Sequence, residues 1–283
     1  MNDKKTTKMN ADGSKVVLVT GASSGIGKSA AKLMLEKGHT VYGAARRIEL
    51  MRDLEQLGMR AIKMDITNPS DVESAVNQIM DESKRIDALV NNAGYAVYGA
   101  VEDTPIDDAK KQFEVNLFGL AQLTKTVIPH MRKAHRGRII NISSMAGKMY
   151  TPMGAWYHAS KHALEGWSDC LRIELKPFGI DVVIIEPGVI KTNFDQVMLD
   201  PLMKRSGSGP YAEMAMRMVE TSRKIYSSSW ATPPDTIGKL ILRTVETRKP
   251  KTRYRKGFMA KPGVFIRTYL GDRIWDSLMN VKI

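Results

Sequence analysis

Short, β-branched apolar runs alternate with helical spacings along most of this chain. Val16–Thr20, Thr40–Ala44, Arg60–Met64, Ala88–Asn91, Arg138–Ser143 and Asp181–Glu186 read as strands, with one more short run at Arg253–Lys256. A continuous apolar run, rather than an alternating one, is what a strand covered on both faces requires. Between the runs, residues 29–37, 49–57, 70–83, 106–132 and 155–176 place apolar side chains three and four apart, the spacing of a helix with one buried face. Strand and helix in regular succession predict an α/β fold, a doubly wound parallel sheet with helices on both faces and its ligand beyond the strand C-termini. Neither an internal repeat nor a second boundary interrupts the rhythm. Residues 15–283 are therefore expected to form one domain behind a polar, disordered lead at 1–14.

The first strand runs into a phosphate-binding pattern. Thr20-Gly21-Ala22-Ser23-Ser24-Gly25-Ile26-Gly27 joins it to the helical spacing that begins at Ser29. Strand, glycine turn and helix form the setting of a Rossmann-like dinucleotide site. Gly21 permits the tight turn, and Gly25 and Gly27 let cofactor and strand approach the backbone. The helix N-terminus then offers free N–H groups to a pyrophosphate. Arg46 stands 21 positions after Gly25, where an acid would bind the ribose of NAD, and neither Asp nor Glu occurs before Glu49. A guanidinium there forks onto phosphate oxygens and stacks on adenine. NADP(H) is the expected cofactor, with Ser23 a second phosphate contact and NAD(H) the second choice.

Tyr157 and Lys161 are four apart and so share one helix face. An ammonium beside a phenol favours the phenolate and draws a pKa of about 10 toward neutrality. Such a tyrosine gives or takes a proton at physiological pH. A carbonyl being reduced gains charge on oxygen as hydride arrives, so its site needs donors aimed at that oxygen. The Ser144 hydroxyl supplies one, and Tyr157 supplies the proton.

Taken in order, these motifs resemble the short-chain dehydrogenase/reductase family across about residues 15–195. The turn matches T-G-x-x-x-G-x-G, and Asn91-Asn92-Ala93-Gly94 matches N-N-A-G. Ser144 lies thirteen residues before Tyr157, the family's usual gap, which favours it over Ser143. Glu186-Pro187-Gly188-Val189-Ile190-Lys191-Thr192 matches P-G-x-x-x-T. The resemblance implies a catalytic set of Asn116, Ser144, Tyr157 and Lys161, in which Asn116 holds a water that relays protons to Lys161 and Lys161 also bonds the nicotinamide ribose. It implies cofactor contacts from Gly21, Ser23, Ser24, Gly25, Ile26, Gly27, Arg46, Asp65, Ile66, Asn92, Ala93, Gly94, Tyr157, Lys161, Pro187, Gly188, Val189 and Thr192, with Asp65 at the adenine edge. Homodimers or tetramers are common in that family.

Substrate class rests on residues about 189–230, where the family places a lid. Phe194, Val197, Met198, Leu199, Met203, Tyr211, Met214, Met216 and Met218 make this segment apolar and adaptable, and residues 206–210 break it in two. Met149, Tyr150, Met153 and Trp156 add bulk before the tyrosine, as do Tyr95, Val97 and Tyr98 after N-N-A-G. A bulky lipophilic carbonyl or alcohol is expected, and the chain resembles the hydroxysteroid and retinol dehydrogenase branch.

Composition changes this picture little. The chain has 283 residues, a formal charge of +13 and one cysteine. Cys170 forms no internal disulfide, which suits a reducing cytoplasm, and is expected to be a buried small hydrophobe. No run approaches the roughly 20 apolar residues of a spanning helix, and the polar lead lacks the apolar core of a secretory signal. His158 and His162 have a zinc-compatible spacing, and His130 and His135 occur earlier, but no Cys or carboxylate completes a ligand set nearby, so no metal is expected. Nucleic-acid binding has charge alone in its favour. The tail from about 243 to 283 is basic, and Ile266, Leu270, Ile274 and Leu278 give it an amphipathic helical spacing. Such a tail packs on the body or touches an anionic membrane weakly. The alternative function is a peripheral lipid-binding protein on a vestigial reductase fold, opposed by the intact Ser144, Tyr157 and Lys161.

Overall fold

The computed structural model describes residues 13–192 and 194–279, and the side chains of residues 194–197 lie outside that description. The lead, except for residues 13 and 14, and the lid positions Phe194 and Val197 fall outside it accordingly. Seven strands are described: β1 (Val16–Thr20), β2 (Thr40–Ala45), β3 (Arg60–Lys63), β4 (Ala88–Asn91), β5 (Gly137–Ile142), β6 (Ile180–Pro187) and β7 (Arg253–Lys256). They form one parallel sheet in the order β3-β2-β1-β4-β5-β6-β7. The direction of winding reverses between β1 and β4, which opens a crevice at their C-terminal ends.

Side chains alternate across the sheet and so build two cores. On one face Val17, Val19, Val41, Val90, Ile140 and Ile185 meet α1 (Gly25–Glu36) and α9 (Pro234–Glu246). On the other, Leu18, Tyr42, Leu89, Ile139 and Val182 meet α3 (Pro69–Ser83), α5 (Leu120–Lys133) and α6 (Ala155–Leu175). With both faces covered, every central strand reads as a continuous apolar run.

Four expectations are corrected. The helical spacing over 106–132 is not one α-helix: α4 (Ile106–Phe113) gives way to a π turn at Glu114–Gly119 before α5 begins. A Cβ at Gly119 would strike the Ile66 carbonyl, so the helix fits closely against the loop after β3. The helix expected at 49–57 is a 3₁₀ turn at Ile48–Met51 followed by one turn, α2 (Arg52–Glu55). Cys170 is exposed, because α6 buries Leu164, Ser168, Leu171 and Leu175 and position 170 points off that stripe. The tail is two helices, α10 (Ala260–Tyr269) and α11 (Gly271–Met279), and its buried anchors are Val264 and Trp275. Leu270, Ile274 and Leu278, read as one apolar face turned to the body or to an anionic membrane, are exposed.

The segment read as a lid forms α7 (Phe194–Ser206) and α8 (Ala212–Ser227), separated at the serine–glycine stretch. Met198, Leu199, Leu202, Ala215 and Val219 pack on Ala96, Tyr98, Ala100 and Met153 in a third apolar cluster, against which Tyr157 also lies. No described helix is long and apolar enough to cross a membrane.

Candidate active site

The crevice beyond β1 and β4 is one cleft of about 2010 Å³. Drug-sized ligands occupy roughly 300–1,000 Å³, so it has room for a dinucleotide and a second molecule. One end is the glycine turn. Gly21 and Gly25 have φ of +66° and +55°, a region L side chains rarely enter, and a Cβ on Gly21 would lie 2.9 Å from Asn92 Nδ2. Ser24 precedes α1 without a side-chain cap, and the first turn carries no acid. Unbonded N–H groups at a positive helix end suit an anion. The backbone cradle and the helix end together fit a pyrophosphate.

N-N-A-G acts largely as a bracket for that turn. Asn92 Nδ2 donates to the carbonyls of Thr20 (2.9 Å) and Gly21 (3.3 Å). Thr20 Oγ1 accepts from the N–H groups of Asn92 and Ala93, both at 3.0 Å, and donates to Val90. This role of Thr20 was not read from the sequence, although it is the threonine of the glycine motif. Thr192 meets the turn from the other side, 3.2 Å from where a Gly25 Cβ would stand. The strap bearing Pro187, Gly188 and Val189 is fixed by Gly188 N–H to Lys256 O (2.9 Å) and Val189 N–H to Phe258 O (3.0 Å).

Ser23, Ser24, Ile26, Arg46, Asp65 and Ile66 line the same cleft. Arg46 is exposed at the end of β2. Asp65 accepts from Thr67 N–H (3.0 Å) and Thr67 Oγ1 (2.8 Å). Burial works against its charge, but those bonds and the Arg46 guanidinium hold the carboxyl below its ordinary value.

The reactive set gathers at the C-terminal end of β5. Ser144 follows that strand, its hydroxyl accepting from Ala146 N–H at 3.1 Å and bonding the Tyr157 hydroxyl. Tyr157 and Lys161 both line the cleft from α6. Lys161 Nζ donates to the Ile142 carbonyl at 2.9 Å. The π turn brings Asn116 to this point, where it brackets Tyr95: Nδ2 donates to Tyr95 O (2.9 Å) and Ser160 Oγ (3.1 Å), and Oδ1 accepts Tyr95 N–H (3.1 Å). A Cβ at Gly94 would stand 3.0 Å from Asn116 Oδ1 and 3.9 Å from Lys161 Nζ, so the three converge.

One electrostatic expectation is reversed. Burial pushes the Tyr157 phenol above its ordinary value, opposed by the Ser144 bond, and Lys161 is not what governs it. The same desolvation lowers the Lys161 ammonium to about 8, with Glu165 one turn on working against that shift. Both charged forms suffer from leaving water.

His158, whose spacing to His162 suggested zinc, has a different task. It is buried, its Nδ1 lies 3.1 Å from Ala146 O, and its Nε2 accepts Thr151 N–H at 3.1 Å. Tyr98, Tyr157 and His158 form a ring cluster with centroids 6.0–6.5 Å apart. Burial keeps this imidazole neutral, its pKa down at about 4.

Comparison with known proteins fits this arrangement. A family model for short chain dehydrogenase matches residues 15–201. The chain belongs to that family, and it is an oxidoreductase acting on CH–OH groups with a nicotinamide cofactor. It is 38% identical to 3-ketodihydrosphingosine reductase of Bacteroides thetaiotaomicron, over 86% of this chain and 87% of that protein. The crystal structure of a short-chain dehydrogenase from Streptomyces avermitilis superposes with a TM-score of 0.77 at 32% identity, covering 94% and 97% of the two chains. A 3-ketoacyl-(acyl-carrier-protein) reductase from Brucella melitensis, solved with NADH, gives a TM-score of 0.70 at 25% identity over 82% and 90%.

Proposed function

We propose that the chain is an NADP(H)-dependent reductase of lipophilic carbonyls, with Tyr157 as the proton donor. The observation that carries this reading is one cleft shared by the glycine turn, Ser144, Tyr157 and Lys161, with Tyr98, Met149, Met198, Met218 and Ile225 on its substrate side. When bound, the nicotinamide supplies hydride to the carbonyl carbon. Ser144 holds the carbonyl oxygen, and Tyr157 gives it a proton as negative charge develops there. Lys161 returns a proton to the resulting phenolate. Asn116 keeps Tyr95 and Ser160 in register behind this pair. Steroids, retinoids and long-chain ketones fall in the substrate class, and the named relatives that reduce 3-keto compounds support it.

Arg46 supports NADP(H). It lies at the cleft beside Ser23, and the strand end before it, Ala44-Ala45, offers no carboxylate to a ribose 2′-hydroxyl. A lipid-binding role on a vestigial fold is not favoured, since Ser144, Tyr157 and Lys161 all line the cleft. The test follows NADPH absorbance with steroid, retinoid and aliphatic carbonyls. Turnover of at least one lipophilic class is expected, and activity confined to small polar carbonyls, or to NADH, overturns the reading.

A further inference from the structure

The tail helices were read as packing on the body or lying on a membrane, yet α11 reaches the cleft itself. Trp275, Leu278 and Met279 line it together with Tyr157. Trp275 is 1% exposed, donates from Nε1 to Tyr150 O at 2.8 Å, and meets the Tyr150 ring edge-on with centroids 6.4 Å apart. The Tyr150 hydroxyl returns a bond to Asp276 Oδ1 at 2.8 Å. The Arg267 guanidinium sits 5.0 Å over the Tyr150 ring and pairs with Asp272 at 2.7 Å. This clasp ties α11 to the loop between Ser144 and Tyr157, so helix and reactive set form one rigid frame.

The walls change character with distance from that frame. Trp275 is closed off from water, whereas Leu278 is 57% exposed and Met214 of α8 is 38% exposed. Both exposed side chains line the same cavity. The cleft is therefore closed where Trp275 lines it and open at Leu278 and Met214, where Glu213 and Arg217 of α8 add charge to apolar side chains. A compact ligand would leave the rim unused, whereas an extended chain would cover it.

We infer that α11 is the distal wall of the substrate site, and that the site takes an extended aliphatic chain passing out over Met214 and Leu278. This inference rests on the lipophilic-carbonyl reading and names the shape within that class. The test is a homologous series of straight-chain methyl ketones from hexanone to hexadecanone, assayed with NADPH. In the wild type, kcat/KM rises with length until the chain reaches the rim. Leu278→Trp narrows the exit and excludes about two methylenes, lowering the hexadecanone-to-hexanone ratio of kcat/KM about tenfold. Phe265→Ala, on the outward face of α10, leaves that ratio unchanged. An unaltered ratio in Leu278→Trp overturns the inference while turnover stands. Should the wild type reduce no ketone of any length, the underlying reading fails instead. The wall is then read by anisotropy with cis-parinaric acid, a fluorescent straight-chain lipid: weaker binding to Leu278→Trp supports it and equal binding overturns it.

Discussion

Protonation of His158 should act as an acid fault line in this fold. Burial lowers this imidazole to about 4, with the Ala146 carbonyl opposing the shift and His162 nearby assisting it. In the unfolded chain a histidine titrates near about 6.5. The folded value lies below the unfolded one, so the unfolded chain binds the proton first and stability falls as pH drops from about 6.5 toward 4. Below about 4 both states are protonated and this contribution levels off. The full difference corresponds to about 3 kcal/mol, and about 2 kcal/mol of it is lost by pH 5. The ring is only 5% exposed and bonded on both nitrogens, so solvent screens little of this difference. His158→Asn keeps one donor toward Ala146 and cannot titrate. Urea midpoints of wild type and variant, measured at pH 7 and pH 5, isolate the residue from the carboxylates common to both. The variant is less stable at pH 7 by about 1–3 kcal/mol, because Thr151 N–H loses its buried acceptor. That gap narrows by about 2 kcal/mol at pH 5. Parallel pH slopes in the two proteins would refute the assignment of a buried neutral imidazole.

Three other outcomes are expected. Tyr157→Phe lowers kcat by roughly 10²–10⁴ while the Kd for NADPH, read by quenching of protein fluorescence, stays near wild type; retained turnover contradicts a proton-donating role. Arg46→Ala raises the KM for NADPH about 10- to 100-fold, the worth of one charge-assisted contact of about 1.5–3 kcal/mol, and leaves that for NADH nearly unchanged. An equal effect on both cofactors would mean that Arg46 does not read the 2′-phosphate. Gly21→Ala places a Cβ at positive φ, 2.9 Å from Asn92 Nδ2. It costs about 1–2 kcal/mol for the backbone alone, so both the urea midpoint and NADPH affinity fall, and unchanged affinity would separate the turn from the cofactor site.

What could be read from residue order follows the range of the forces involved. Strands covered on both faces announce themselves as apolar runs, and the glycine turn and the Tyr157–Lys161 spacing are local as well. The π turn was invisible because the apolar spacing of α4 and α5 continues through it. At its end Gly119 lies so close to the Ile66 carbonyl, in the loop after β3, that no side chain fits, a contact between positions far apart in the chain. Asn116 depends on that turn to reach Tyr95. Trp275 was counted among many apolar tail residues, and only its bond to Tyr150, 125 positions away, separates it from the exposed Ile274 beside it. His158 shows the same limit. Nothing in its spacing to His162 names its partners, which are the Ala146 carbonyl and the N–H and hydroxyl of Thr151 in the loop before it.

The reversed electrostatics of Tyr157 and Lys161 bear on where the proton of the proposed reduction is held. An acidified phenol would be poised to take a proton from an alcohol. Here desolvation governs both groups, holding the phenol high and bringing the ammonium down to about 8. Near neutral pH the pair therefore holds both its protons. Lys161 is anchored at the end of β5 through the Ile142 carbonyl, so the phenol answers first to burial and to Ser144. On the proposed reading, a developing alkoxide, with its much stronger basicity, draws the phenolic proton directly. Lys161, which lines the same cleft and whose own proton is loosened by burial, would then resupply the phenolate. The buried pair is thus supplied with the protons that the proposed reduction consumes, with Ser144 bonded to the Tyr157 hydroxyl, while the direction of net turnover is set by the ratio of cofactor and substrate forms.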